Sequence, residues 1–287
     1  MQKKQFLHQR DIPGVQHQFI EQWESIPLTG TYLIESSLPN KTPSSNDRPV
    51  ILIPGGFDPI KGSYSANAIE KLLSTQGVSS VYELHFFSQG ESGYIEVDPI
   101  ITDLCRMLNE STQRPVFVGM SASTCMLSAA LNEAAKNDQG LNASGALLIG
   151  PYLPDNVNLM GRLLAPFYLR KKMREKLIKH CGHPHLFDNS DRMFGWWEKS
   201  PPLRKDLKAK RYKEISQRIT INVETLYFKI DTLSWSGKRI LKKAYNAKSD
   251  NPKIPGHHRS LLHIPEFDEM LCTCCQRLIA ADISSHR

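Results

Sequence analysis

The sequence predicts an α/β domain: a mostly parallel central sheet covered by helices on both faces. Three observations carry this expectation. Short apolar runs of strand length alternate with segments of helical spacing, at the pace of βαβ units. The runs Val50-Ile-Leu-Ile53, Pro115-Val-Phe-Val118 and Ser144 to Ile149 are apolar at nearly every position, the pattern of strands buried on both faces. Turn-forming residues punctuate the joints, as at Pro54-Gly55-Gly56.

Taken along the chain, Gln16 to Trp23 and Gly30 to Ser36 read as extended segments, separated by a turn-like Ile26-Pro27-Leu28. A Pro/Ser/Asn/Asp-rich loop, Pro39 to Arg48, leads to the strand Val50 to Ile53. Ser65 to Gln76 is helical, with Ile69, Leu72 and Leu73 on one face. Val78 to Phe87 is a strand and Asp98 to Asn109 a helix, whose apolar side carries Ile100, Ile101, Leu104 and Leu108. The strand Pro115 to Val118 runs into a small-residue helix, about Ser123 to Ala135, and Ser144 to Ile149 is the next strand.

The rhythm stops after Gly150 and resumes with the strand Val223 to Ile230, a helix near Ser236 to Ala247 and a last helix from about Pro265 to Ile283. We therefore expect one sheet domain, residues 1–150 and 219–287, interrupted by a helical insert, residues 151–218. Met160 to Arg218 holds 16 Lys+Arg against 6 Asp+Glu, a surplus larger than the net +7 of the chain. The basic character belongs to the insert, and the rest is mildly acidic. Phe167 to Lys179 reads as a basic amphipathic helix, and Phe194, Trp196 and Trp197 add aromatic bulk.

Composition excludes several classes. No apolar run approaches the roughly 20 residues that a membrane helix needs, and the basic N-terminus has no apolar segment behind it to make a secretory signal. The six cysteines, Cys105, Cys125, Cys181, Cys272, Cys274 and Cys275, form no disulfide framework, so a cytoplasmic location is expected. Cys272 and Cys275 spell C-x-x-C within a helical apolar pattern, where thiols pack as core. His180-Cys181-Gly-His183-Pro-His185 has metal-ligand residue types, but its spacing fits no zinc pattern and half of a site is missing. No metal and no cofactor is expected, and no nucleic-acid recognition motif accompanies the charge.

The chemistry concentrates at Gly119-Met-Ser121-Ala-Ser123, between the buried strand and the small-residue helix. A tight strand-to-helix turn brings two backbones close together, so its first and last positions exclude bulk. The central residue is held in a strained conformation with its side chain presented at the sheet edge. The helix N-terminus beyond it offers free N–H groups and a positive dipole, which favour an oxyanion. Ser121 is the candidate nucleophile.

At this point the chain resembles the α/β-hydrolase superfamily. Val50-Ile-Leu-Ile-Pro-Gly-Gly-Phe57 is similar to that family's strand and oxyanion loop, with Pro54 in place of the usual His. Gln89-Gly-Glu-Ser92 resembles the loop after its next strand, and Lys253 to Phe267 resembles the segment between its last strand and last helix. The resemblance covers roughly residues 15–150 and 220–285, and the insert falls where the family carries a variable cap. It implies that the N–H of Ala122 and the loop at Gly56 and Phe57 form the oxyanion hole, and that His258 is the base. His257 lies one residue away, and a strand at Ser260 to Ile264 would instead leave His263 structural and no His beyond it. The acid is Asp231, 27 residues before His258, or alternatively Asp155. Asp231 falls about two residues short of the family's usual place.

The function the resemblance implies is hydrolysis of a carboxylic ester or thioester through an acyl-serine, with the triad Ser121, His258 and Asp231. The expected partner is a small-molecule acyl ester or thioester. The cationic insert suits one linked to coenzyme A or to an acyl carrier protein. An acyltransferase with the same acyl-enzyme is the alternative. So is a non-catalytic binding protein, suggested by Pro54 for His, Ser123 for Gly and the displaced acid. Oligomeric state is not legible.

Overall fold

The computed structural model describes residues 12–54, 64–86, 88–89, 94–95, 97–121, 123–137, 140–151, 212–230, 244–245, 253–257 and 265–285. The elements in order are β1 (Gln16–Ile20), β2 (Gln22–Trp23), β3 (Ile26–Pro27), β4 (Thr31–Ser37), β5 (Arg48–Ile53), α1 (Ala66–Ser74), β6 (Val78–Phe86), β7 (Ser88–Gln89), β8 (Tyr94–Ile95) and α2 (Val97–Glu110). There follow β9 (Val116–Met120), α3 (Ser123–Ala134), β10 (Gly145–Ile149), α4 (Tyr212–Arg218), β11 (Val223–Leu226), β12 (Phe228–Ile230), β13 (Ile254–His257) and α5 (Pro265–Ser285).

Among the described residues seven strands form one sheet in the order β1-β4-β6-β5-β9-β10-β11. β1, β4 and β6 pair antiparallel, whereas β6, β5, β9, β10 and β11 run parallel to one another. This is the mostly parallel sheet that the apolar runs predict. Alternate side chains along each strand feed two cores. Ile51, Ile53, Phe117 and Leu148 point to one face with Leu104 and Leu108 of α2 and Leu127 and Leu131 of α3. Val50, Leu52, Val116, Val118 and Leu147 point to the other, with Leu72 of α1 and Leu271, Leu278 and Ile279 of α5. At about 25 cal/mol per Å² of apolar surface removed from water, these two layers are the main driving force for the fold.

Two local expectations change. Ile26-Pro27 is not only a turn: it forms β3, paired antiparallel with β2. The reversal between them passes through Glu24 at φ +52°, and the Glu24 carboxylate accepts the N–H groups of Thr112 and Gln113 beyond α2. Val223 to Ile230 is not one strand but two. β11 leaves the sheet edge after pairing Leu226 with Ile149. The Tyr227 carbonyl then accepts from the Ile254 N–H at 2.8 Å, and β12 continues beside β13. The chain thus changes partner at Tyr227.

The entry to β4 rests on a buried carboxylate. Asp103 of α2, with no exposed surface, collects the N–H groups of Thr29, Gly30 and Thr31 and both threonine hydroxyls. A buried carboxylate is tolerated only when its oxygens are this well bonded. The expected insert, including the segment Phe167 to Lys179 that the sequence reads as a basic helix and the residues His180 to His185, lies outside the described residues apart from Pro151 and the stretch beginning at α4.

Candidate active site

β9 runs into α3 through Ser121, which has φ +54°, the left-handed region that a residue bearing a Cβ rarely adopts. The turn is held on both sides. The Ser121 N–H donates to the Ile149 carbonyl of β10 at 2.8 Å, and the Ser121 carbonyl accepts from the Thr124 N–H at 3.1 Å and from the Thr124 hydroxyl. Gly119 is favoured by close packing: a Cβ there would stand 3.2 Å from Leu127 Cδ2, which would have to shift, and 3.4 Å from the Ser123 carbonyl. Ser121 is half-buried, at the carboxyl end of its strand and just before a helix N-terminus. The left-handed backbone is the strained conformation that the sequence predicts for the turn, whereas the side chain is half-buried rather than exposed.

Ser123, in contrast, has no exposed surface. Its Oγ accepts the Met120 N–H at 2.8 Å. Its single proton reaches the Ile53 carbonyl at 3.0 Å or the Met120 carbonyl at 2.9 Å. The Ile53 carbonyl is also reached by the Tyr64 hydroxyl at 3.3 Å, which lies 3.4 Å from the Val118 carbonyl as well. Burial pushes the Tyr64 phenol well above its ordinary value, helped by Cys275 and Glu83 nearby, so it stays protonated. Sequence reasoning missed both groups. The signal for Ser123 was available, since a hydroxyl buried where bulk is excluded must find backbone partners. Nothing in the sequence singles out Tyr64.

The parallel strands deliver their carboxyl ends to one edge of the sheet. β5 ends at Ile53, followed by Pro54, and the oxyanion-loop candidates Gly56 and Phe57 lie outside the described residues, as does Ala122. β12 and β13 run parallel with Ile230 opposite His257. Asp231 and His258 are the next residues in the chain, and both lie outside the described residues. Among the described residues β13, Ile254–His257, is the strand before α5, and the alternative strand Ser260 to Ile264 lies outside them. His263 and the rival acid Asp155 also fall outside.

The C-x-x-C lies on α5 with Cys274 and Cys275 buried and Cys272 half-buried. Burial raises all three thiols, Cys274 to about 12, so thiolate chemistry is disfavoured and they pack as core. Among the described residues no helix is long and apolar enough to cross a membrane.

No protein-family model and no curated protein matches the sequence. Solved structures do match. A thermostable esterase from Pseudomonas putida ECU1011 superposes with a TM-score of 0.58 at 12% identity, over 97% of this chain and 87% of that one. A fungal esterase from Rhizomucor miehei gives 0.56 at 15% identity, over 97% and 88%. A monoacylglycerol lipase from Paleococcus ferrophilus gives 0.53 at 15% identity, over 88% and 100%. At such identities the likeness establishes architecture: the chain has the α/β-hydrolase fold.

Proposed function

We propose that this α/β-hydrolase fold carries a serine hydrolase acting on a carboxylic ester or thioester. The observation that carries the reading is Ser121, held at φ +54° between a parallel strand and a helix, at the carboxyl edge of the sheet where the neighbouring parallel strand β5 also ends. Strain at a strand-to-helix turn is retained when it presents a side chain for chemistry. The solved esterases and the lipase of the same fold give the reaction type to test first.

In this reading Ser121 Oγ attacks the acyl carbonyl while His258 takes its proton. The oxyanion is held by the N–H of Ala122 and by the loop at Gly56 and Phe57, close to the positive end of α3. Collapse expels the alcohol or thiol, which receives the proton from His258 and leaves an acyl-serine. Water, deprotonated by the same imidazole, then releases the acid and restores Ser121. Asp231 holds the imidazole in the tautomer that can accept the proton. The surplus of Lys and Arg between Met160 and Arg218 favours an anionic acyl donor, such as a coenzyme A or carrier-protein thioester. Cysteines without a disulfide framework favour a cytoplasmic location.

The test is labelling of the purified chain with a fluorophosphonate probe. The wild type is expected to label, Ser121→Ala to abolish labelling, and His258→Ala to reduce it at least about 100-fold, the range for a general base. Folded wild-type protein that resists the probe would overturn the hydrolase reading and leave a binding protein of the same fold.

A further inference from the structure

We infer that Ser123 is a positioning residue, its buried hydroxyl clamping the turn that carries Ser121 to the end of the neighbouring strand β5. The inference rests on Ser121 being the nucleophile and deepens that reading.

The β5–β9 ladder reaches its last pair at Ile53 and Gly119. Beyond it, Pro54 has no N–H and cannot carry the pairing forward. Two backbone groups are then left at the mouth of the candidate site: the Met120 N–H, directly before Ser121, and the Ile53 carbonyl, directly before the Pro54-Gly55-Gly56 sequence. Ser123 Oγ serves both, accepting from Met120 at 2.8 Å and reaching Ile53 at 3.0 Å. One side-chain oxygen thereby replaces the missing rung of the sheet.

Its complete burial removes Ser123 from consideration as a second nucleophile, since no acyl group can reach it. Its effect is geometric. The strand that ends at Ile53 leads to the proposed oxyanion donors, and the strand that ends at Met120 leads to the attacking oxygen. A glycine or alanine at 123 leaves the Met120 N–H and the Ile53 carbonyl without this bridge, so the two chain ends can drift apart. Rates of positioned reactions fall steeply with sub-ångström misplacement, whereas ground-state affinity for a probe does not depend on that alignment.

The test uses the full chain and a fluorophosphonate, resolving the maximal inactivation rate from the probe's half-saturating concentration. Ser123→Ala is compared with Ser123→Cys, which keeps volume with weaker hydrogen bonding. The control is Ser128→Ala, a residue equally buried on α3 whose hydroxyl finds no partner among the described residues. We expect the maximal rate to fall by about tenfold in Ser123→Ala, less in Ser123→Cys and not at all in Ser128→Ala, with half-saturation constant within about twofold. An unchanged maximal rate in a folded Ser123 variant overturns the inference and leaves the hydrolase reading intact. So does an equal loss in Ser128→Ala, or failure of both Ser123 variants to fold, which would make the role purely structural. A wild-type chain that does not label overturns the hydrolase reading and the positioning role with it.

Discussion

Ser121 is held in the left-handed region by bonds that its own backbone makes to Ile149 and Thr124. An L residue there crowds its Cβ against the carbonyl that follows, at a cost of roughly 1–2 kcal/mol. Glycine escapes that cost but loses about 0.4–1 kcal/mol through the freedom of its unfolded chain. Ser121→Gly should therefore be more stable than Ser121→Ala by about 0.5–1 kcal/mol in urea unfolding, although both lack the hydroxyl. Equal stabilities would show that the turn relaxes once the side chain is gone. Ser121 is legible in the sequence because its position depends on local features: a buried run before it, small residues around it and a helix after it. The role of Ser123 is legible only in part, because one group that its hydroxyl joins, the Ile53 carbonyl, lies 70 positions away, while the other, the Met120 N–H, is three away. The same residue that looks like a departure from a Gly-x-Ser-x-Gly pattern becomes a hydrogen-bonding member once β5 is beside it.

The limits of α1, α2, α3 and α5 follow from local chemistry and are legible to within a residue or two. Ser65 caps α1 by accepting the Ala68 N–H at 3.0 Å, and α3 starts at Ser123 as its spacing implies. Partner choice between strands is another matter. The run from Val223 to Ile230 contains no glycine, proline or other turn former, so nothing local marks Tyr227 as the place where the chain stops pairing with β10 and turns to β13. Close approaches between elements are equally hidden, and two glycines separate the cases. A Cβ at Gly30 would meet Pro99 Cβ at 2.5 Å, Pro99 C at 2.7 Å and the Ile100 N at 2.8 Å, mostly backbone at the start of α2 that cannot move alone. A Cβ at Gly119 would meet the end of a flexible side chain, Leu127 Cδ2, at 3.2 Å. Gly30→Ala is expected to cost about 3 kcal/mol and Gly119→Ala about 1 kcal/mol, the two ends of the overpacking range. Chemical denaturation of both variants checks the order, and a Gly119 variant less stable than the Gly30 variant would contradict it.

The layered architecture was legible because fully apolar strands demand cover on both faces, and α1, α2, α3 and α5 supply it. What ties the two ends of the chain together was not. Asp282, near the end of α5 and 3% exposed, bonds Arg114 before β9 at 2.6 Å, Arg48 at the start of β5 at 3.3 Å and the Ser144 hydroxyl before β10 at 2.9 Å. These contacts span up to 234 positions and close the sheet at the edge opposite Ser121. Burial alone would raise the Asp282 carboxyl. The hydrogen bonds from Arg114, Ser144 and Arg48, together with the charge of Arg114, outweigh it and hold the group below its ordinary value. A carboxyl depressed in the folded state contributes stability that is fully present above its unfolded value, about 3.9, and is lost as pH falls through the folded value. Asp282→Asn keeps the shape and removes the charge, leaving two partly buried guanidinium groups without their anion. The variant should lose about 3 kcal/mol near neutral pH, the cost of breaking one partner out of a buried pair. Below about pH 4 the unfolded wild-type chain takes up the proton first and the folded carboxylate follows at lower pH, so the difference between the two chains should shrink as acid is added. Urea unfolding of both at about pH 7, 5 and 3 reads this directly. A gap that stays constant across that window would mean that hydrogen bonding alone, without the ionised carboxylate, holds α5 to the strands.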